Sequence, residues 1–290
     1  AARGAPPPPP AEPRARKAKA TSKAAARKDG ARQPLTGKVW RLAHDALGCR
    51  AVQEALEEAS TDAARAAIVS ELRGRVWQAM RCPHANHVLQ LCFVTMCPEA
   101  LQFMVDELVA KGKKAIVRAA QNEYSCRVVQ RMLEHCHPEQ VAAVSEALLE
   151  GAALLVKHCH GVYVIQRLLE HGTPTQQSRL LTKLVVHVKQ DQQMDHRTAR
   201  ILRAALSCCE RPDQVLAARA LVLASELPNM ARDRQSFMCV ETILDLVQGE
   251  DLDAAKRQLY QELPSLRAHR YGRKVASSLK REGVAPVFDA

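Results

Sequence analysis

From Leu35 onward the chain repeats itself, and the repeat restricts its possible folds more than any other feature. Seven segments align without gaps: GCRAVQEAL from Gly48, ANHVLQLCF from Ala85, SCRVVQRML from Ser125, GVYVIQRLL from Gly161, TARILRAAL from Thr198, SFMCVETIL from Ser236 and GRKVASSLK from Gly272. The sixth residue of each falls at Gln53, Gln90, Gln130, Gln166, Arg203, Glu241 and Ser277, so successive units are 37, 40, 36, 37, 38 and 36 residues apart. A unit this short cannot bury an apolar face alone; it has to stack on its neighbours.

The residues just before the sixth position are apolar, as in Val88/Leu89, Val128/Val129 and Val164/Ile165, and apolar residues recur two and three positions after it, as in Met132/Leu133 and Leu168/Leu169. That is the stripe of a helix buried on one side. Longer amphipathic stretches such as 138–150 and 100–110 lie between the segments, opening near a proline or acid and closing near Gly151 or Gly112. The expected unit is a short helix, the quoted middle helix and a third, longer helix, stacked into an all-α, right-handed solenoid of about seven repeats. Only 3% of residues are aromatic, which also disfavours a sheet protein.

Within each middle helix, the second and sixth residues stand one turn apart and the third lies about 100° round from the second. These three columns are expected to face away from the buried stripe. The second runs Cys49, Asn86, Cys126, Val162, Ala199, Phe237, Arg273, and the third runs Arg50, His87, Arg127, Tyr163, Arg200, Met238, Lys274. The sixth holds Gln four times in succession before Arg203, Glu241 and Ser277. A solvated face would carry interchangeable Glu and Lys. A ladder of guanidinium, imidazole and phenol groups instead offers flat surfaces between which bases stack, and an amide offers a donor and an acceptor to a base edge.

The segments Cys49-Arg50-Ala51-Val52-Gln53, Asn86-His87-Val88-Leu89-Gln90, Cys126-Arg127-Val128-Val129-Gln130 and Val162-Tyr163-Val164-Ile165-Gln166 resemble the RNA-reading helices of Pumilio (PUF) repeats. The resemblance covers about residues 35–290. It implies one base per repeat, an RNA running antiparallel to the protein, Cys with Gln as the adenine pair and Asn with Gln as the uracil pair. Cys49/Gln53, Asn86/Gln90 and Cys126/Gln130 would then read 5′-AUA-3′, with Arg50, His87, Arg127, Tyr163 and Arg200 stacking on bases. In the fourth repeat Val162 leaves Gln166 as the reader. Ala199 with Arg203 and Arg273 with Ser277 match no pair of the family, which usually has eight repeats against the seven placed here. Glu241 suits guanine by its own chemistry, because N1–H and the exocyclic amine are both donors.

Residues 1–34 form a separate unit of composition: nine Lys/Arg, two acids, five consecutive prolines from Pro6, and no Leu, Ile, Val or aromatic residue. A disordered basic tail is expected, with a transit peptide or an RNA-tethering arm as the alternatives. The segment opens without Met, which admits a start further upstream. Residues 35–290 are expected to form the repeat domain.

Other chemistry finds little support. The longest stretch free of charge, 82–98, contains His84, Asn86, His87 and Gln90 and is too polar to span a membrane. Ten cysteines without a secretory leader are expected to be reduced thiols in a cytosolic, nuclear or organelle-matrix compartment. Cys82, His84, His87, Cys92 and Cys97 lack the paired spacing of structural zinc, and the histidines of His135-Cys136-His137 and His158-Cys159-His160 are expected to be exposed. Gly112-Lys113-Lys114 lacks the upstream glycine of a phosphate loop. No cofactor, metal or enzymatic activity is expected.

The expected function is sequence-selective binding of single-stranded RNA, in messenger 3′ untranslated regions, with recruited protein effectors controlling stability or translation in the cytoplasm. A ribosome-biogenesis factor gripping structured RNA by charge is the main alternative, with nucleolar or organellar placement through the tail; an armadillo-type protein scaffold is a third. If the tail contacts only phosphates, deleting residues 1–34 should weaken binding to all RNAs alike and flatten the salt dependence, leaving any preference for AUA intact. Loss of that preference in filter-binding titrations would assign base reading to the tail.

Overall fold

The computed structural model describes residues 35–190 and 195–281; the expectations placed on residues 1–34 lie outside the described residues. Among the described residues there are nineteen α-helices, one 3-10 turn and no strand. The seven middle helices are Gly48–Glu58, Ala85–Thr95, Ser125–His135, Gly161–His171, His196–Cys208, Phe237–Leu246 and Gly272–Arg281, each at its expected place. Each packs on the next, giving an unbroken row, and from the second repeat on the third helices pack on one another behind it. The fold is the α-solenoid that the repeat implied.

Two details differ from expectation. The third helix is not uniformly the longest: it has 9, 8 and 9 residues in repeats 1–3 against 11 in each middle helix. In repeats 2 and 3 the stretch after the middle helix is partly taken up by a 3-10 turn at Pro98–Leu101 and a turn at 138–141. From repeat 4 the third helices lengthen, to 17 residues in Pro174–Gln190 and 13 in Arg211–Leu223 and Gly249–Gln261. A separate first helix precedes the middle helix in every repeat except the fifth, where the equivalent positions fall on the end of Pro174–Gln190 and on residues outside the description.

The first helix ends hard against the start of the middle one. A Cβ on Gly48 would stand 2.5 Å from the carbonyl oxygen of Leu42, and one on Gly272 would stand 2.4 Å from that of Leu266. The equivalent position is filled elsewhere by small buried residues, Ala85, Ser125, Thr198 and Ser236. In repeats 1 and 2 a glutamate from the third helix or its end ties to the start of the first helix: Glu71 accepts from the backbone N–H groups of Gly37 at 2.5 Å and Val39 at 2.9 Å, and Glu107 does the same for Gly74 at 2.5 Å and Val76 at 3.1 Å.

A further set of side chains fixes how five of the seven middle helices begin. Eight residues before the sixth-column position, Asp45, Asn122, Asp195 and Asp233 accept from backbone N–H groups at the start of their helices, among them Gly48 at 2.7 Å, Ser125 at 2.9 Å, Thr198 at 2.8 Å and Ser236 at 2.9 Å. These bonds satisfy donors that a helix leaves unpaired. In repeat 4 the same place is held by His158, whose Nδ1 accepts from His160 at 3.2 Å and Gly161 at 3.3 Å. His158 is thus half-buried and structural, against the expectation of an exposed histidine.

That role requires an unprotonated Nδ1. Burial, with His160 and Arg197 adding positive charge, holds the His158 pKa below its ordinary 6.5. The unfolded chain therefore takes up the proton at higher pH than the folded chain, so the cap contributes fully above about pH 6.5 and is lost as pH falls below it. Urea unfolding of wild type should weaken between about pH 7.5 and about pH 5.5 more than that of His158→Asn, whose amide oxygen caps at both values. His158→Ala should cost about 1 kcal/mol at neutral pH. Equal pH sensitivity in wild type and His158→Asn would remove the histidine from this role.

Candidate nucleic-acid interface

The row of middle helices leaves only a narrow strip uncovered. In repeats 2–4 the buried residues of each middle helix occupy segment positions 1, 2, 4, 5, 8 and 9, for example Ala85, Asn86, Val88, Leu89, Cys92 and Phe93. At about 100° per residue these span roughly 160° of the helix, leaving positions 3, 6, 7 and 10 on the open side. The third position lies near the middle of that open arc. Arg50, His87, Arg127, Tyr163, Arg200, Met238 and Lys274 are accordingly all exposed, Tyr163 by 48%.

The expectation that all three columns stand clear of the buried stripe fails for the second. Cys49, Asn86, Cys126, Val162 and Ala199 are buried, with Asn86 only 1% exposed. The reason is angular: the second position lies about 20° from the ninth, which is wall-forming Phe93, Leu133 or Leu169, and a neighbouring repeat covers both. Cys49 Sγ donates to Ala46 O at 3.4 Å and Cys126 Sγ to Glu123 O at 3.5 Å. Burial pushes both thiols up, so they remain neutral donors. Cys92, on the same helix as His87, is fully buried and pushed up to about 12.

The sixth column is half-buried in repeats 1–4, and each amide there is fixed by a bond within the protein. Gln53 Nε2 donates to Cys49 O and Gln130 Nε2 to Cys126 O, both at 3.1 Å. Gln90 Nε2 donates to Asn86 Oδ1 at 2.8 Å, while Asn86 Nδ2 donates to Cys82 O at 2.7 Å. With one N–H engaged, each amide keeps its oxygen and its second N–H for a partner on the open side. An oxygen of the buried second-position residue, the carbonyl of Cys49 and Cys126 or the side-chain amide of Asn86, thus orients the sixth, which the sequence alone did not reveal.

Repeat 4 departs from this arrangement. Val162 has no polar side-chain atom, and Gln166 Nε2 turns to Glu170 Oε1 at 2.8 Å instead of to the carbonyl used in repeats 1 and 3. Glu170 belongs to an ion-pair chain in which Arg131 and Arg167 share Glu134, at 2.7 Å from Arg167 Nε, and Arg167 also pairs with Glu170. Burial pushes Glu170 up, but the bonds from Gln166 and Arg167 prevail and hold its carboxyl below the ordinary range. These residues occupy the seventh and tenth positions, beside the sixth column, where Arg and Glu read in the sequence as an ordinary solvated helix face.

The ladder of flat groups also changes along the row. Among the described residues no ring contact or ion pair joins Arg50, His87 and Arg127. Tyr163 and Arg200, by contrast, lie against each other, with the guanidinium 5.3 Å from the ring centre. Arg203 reaches Met238 Sδ at 3.0 Å, and Glu241 is half-buried, accepting from Ser278 Oγ at 3.3 Å. Three open slots are therefore followed by a closed one.

A sequence model of the Pumilio-family RNA binding repeat matches four times, at residues 38–73, 80–109, 116–149 and 152–185. The chain belongs to the Pumilio family. Its matched units coincide with repeats 1–4, where the sixth column is Gln throughout. A Pumilio domain-containing protein of Schizosaccharomyces pombe is 22% identical over 249 residues, covering 86% of this chain and 36% of that protein. Among solved structures, PUF-8 in complex with PBE-RNA superposes with a TM-score of 0.73 at 23% identity, covering 85% of this chain and 72% of that one. The RNA-binding domain of yeast Puf5p bound to AAT2 RNA gives 0.73 at 18%, covering 85% and 69%. The chain spans well under two thirds of the curated Pumilio relatives it matches.

Neighbouring residues of the Pumilio repeat thus carry separate tasks. Asn86→Ala removes two buried hydrogen bonds and should cost about 1–3 kcal/mol of stability. His87→Ala, on the open arc, should change stability by no more than about 0.5 kcal/mol. Denaturant titration of both variants checks the assignment; equal costs would mean that the arcs are misplaced.

Proposed function

We propose that this chain binds single-stranded RNA in a sequence-selective way, without catalysis, and reads 5′-AUA-3′ through repeats 1–3. The observation that carries the proposal is the pairing of an exposed cation or imidazole at Arg50, His87 and Arg127 with an internally anchored amide at Gln53, Gln90 and Gln130. A base inserted beside each flat group meets an amide whose orientation is already fixed, so little ordering is required on binding. Cys49 and Cys126, buried and neutral, leave space at the edge for adenine, and Asn86 fills that space where uracil is expected. Puf3 RNA-binding domains bound to sites of the Cox17 RNA 3′ UTR have the same fold, which supports a messenger 3′ untranslated region as the target class. The activity follows as control of messenger stability or translation through recruited effectors, in the cytoplasm, where ten free thiols suit a reducing compartment.

The proposal is tested by changing the code at repeat 2. In the present structure Gln90 Nε2 rests on Asn86 Oδ1, so Gln90→Glu alone would set a carboxylate against that oxygen. Adding Asn86→Ser removes the acceptor, supplies a hydroxyl and clears room for a purine. Glutamate then offers acceptors to the N1–H and exocyclic amine of guanine and opposes the O2 of uracil. Affinities for RNAs containing AUA or AGA should invert between wild type and Asn86→Ser/Gln90→Glu, by about 1–3 kcal/mol per preference, or roughly ten- to a hundredfold. If both proteins rank the two RNAs in the same order, this strip does not read bases.

A further inference from the structure

The last slot of the row is built unlike the first three. Between repeats 6 and 7 lies an open cavity of about 400 Å³ lined by Glu241, Arg270, Arg273, Lys274, Ser277 and Ser278. Four of the eight residues 267–274 are Lys or Arg, and three of those cations line the cavity against one carboxylate. That carboxylate, Glu241, is engaged by Ser278 Oγ, while no ion pair takes up Arg270, Arg273 or Lys274 among the described residues.

The cations are also held in place from behind. The guanidinium of Arg270 lies 5.8 Å from the ring centre of Tyr271, the ammonium of Lys274 lies 5.1 Å from that of Phe237, and the two rings stack at 5.3 Å with 27° between their planes. Arg273 Nη1 donates to Arg267 O at 3.3 Å. In repeats 1–3 the third-column groups are left without a ring partner of the protein's own; here Phe237 and Tyr271 already supply the stack. Gly272, which no larger residue can replace without meeting Leu266 O, brings Arg270 and Arg273 round the same corner. The result is a cluster of guanidinium and ammonium donors held from behind, none of them in an ion pair among the described residues.

We propose that this cavity grips a phosphate group of the RNA, so that the C-terminal end of the row holds the strand by its backbone instead of reading a base there. Planar guanidinium donors beside an ammonium suit the tetrahedral oxyanion. The second and sixth positions, Arg273 and Ser277, fail to form a base-reading pair because they serve this other purpose. The inference rests on the RNA-binding reading above, and it adds a sequence-independent anchor to a sequence-selective end.

The test uses the full chain and fluorescence anisotropy. An RNA ending in AUA is compared with one extended by about four nucleotides on its 5′ side, the distance from repeat 3 to repeat 7 at one nucleotide per repeat. The extension should tighten binding about tenfold. An abasic extension should keep that gain, and neutral methylphosphonate linkages in the extension should lose it. Arg273→Ala/Lys274→Ala should lose the gain, and make the slope of log affinity against log salt shallower by about 0.7, while keeping the preference for AUA on the short RNA. That retained preference shows the variant to be folded, and Arg273→Gln/Lys274→Gln should behave alike. Extended RNAs with 5′-hydroxyl or 5′-phosphate ends separate the sources: an equal gain assigns an internal phosphate, a gain confined to the phosphorylated end a terminal one. No gain, a gain that needs the bases, or a gain that survives neutral linkages or the double variant overturns the proposal. Loss of the AUA preference in wild type with the phosphate-dependent gain intact overturns the base-reading proposal and leaves the anchor standing.

Discussion

Everything on the interface follows from the burial of each middle helix on two sides as well as behind. A helix at the surface of an ordinary domain hides one stripe and offers the rest to solvent. In the row formed here, neighbours press on both flanks, so an interior middle helix buries six positions of its eleven and leaves an arc of roughly 140° to 240° from its first residue. Side chains that emerge do so in columns, in register from one repeat to the next. The end of the row shows the effect by its absence: Ala51 is exposed in repeat 1, while the equivalent Val88, Val128 and Val164 are buried.

The periodicity was enough to locate every middle helix, because spacing and apolar pattern are one-dimensional properties that a regular stack preserves. The third column was equally readable from Arg50, His87, Arg127 and Tyr163. The second column was not, since Cys49, Asn86 and Cys126 are small or polar and look surface-compatible; only the packing of a neighbour across Phe93 or Leu133 settles their burial. His158 was obscured by its type. Asp45, Asn122, Asp195 and Asp233 at the same register announce a cap, whereas a histidine does so only when its tautomer and its backbone partners are known. The closure between Tyr163 and Arg200 depends on the distance between repeats, which no spacing within a repeat supplies.

Fold and recognition part company along the chain. Repeats 5–7 keep the buried positions, with Ile201/Leu202, Cys239/Val240 and Val275/Ala276 in the same register as Val88/Leu89. Their open-arc positions, free of packing demands, have lost the amide throughout, and the flat group too after Arg200. Packing requires only apolar volume at fixed angles, and many residues satisfy it. Base recognition requires particular donors and acceptors, so the repeat matches to the Pumilio family stop at residue 185 while the helices continue.

The contact between Tyr163 and Arg200 also bears on time. On the RNA-binding reading proposed above, a strand engaging repeats 1–3 would meet open slots, where no protein side chain has to move aside first. At the next step the guanidinium has to leave the ring before a base can enter, which places a barrier part-way along the strand. If the strip reads RNA as proposed, binding would divide into a fast phase at repeats 1–3 and a gated one at repeat 4. Such a gate would lengthen the residence of strands that pass it, while the equilibrium preference among strands would stay what the base contacts themselves set.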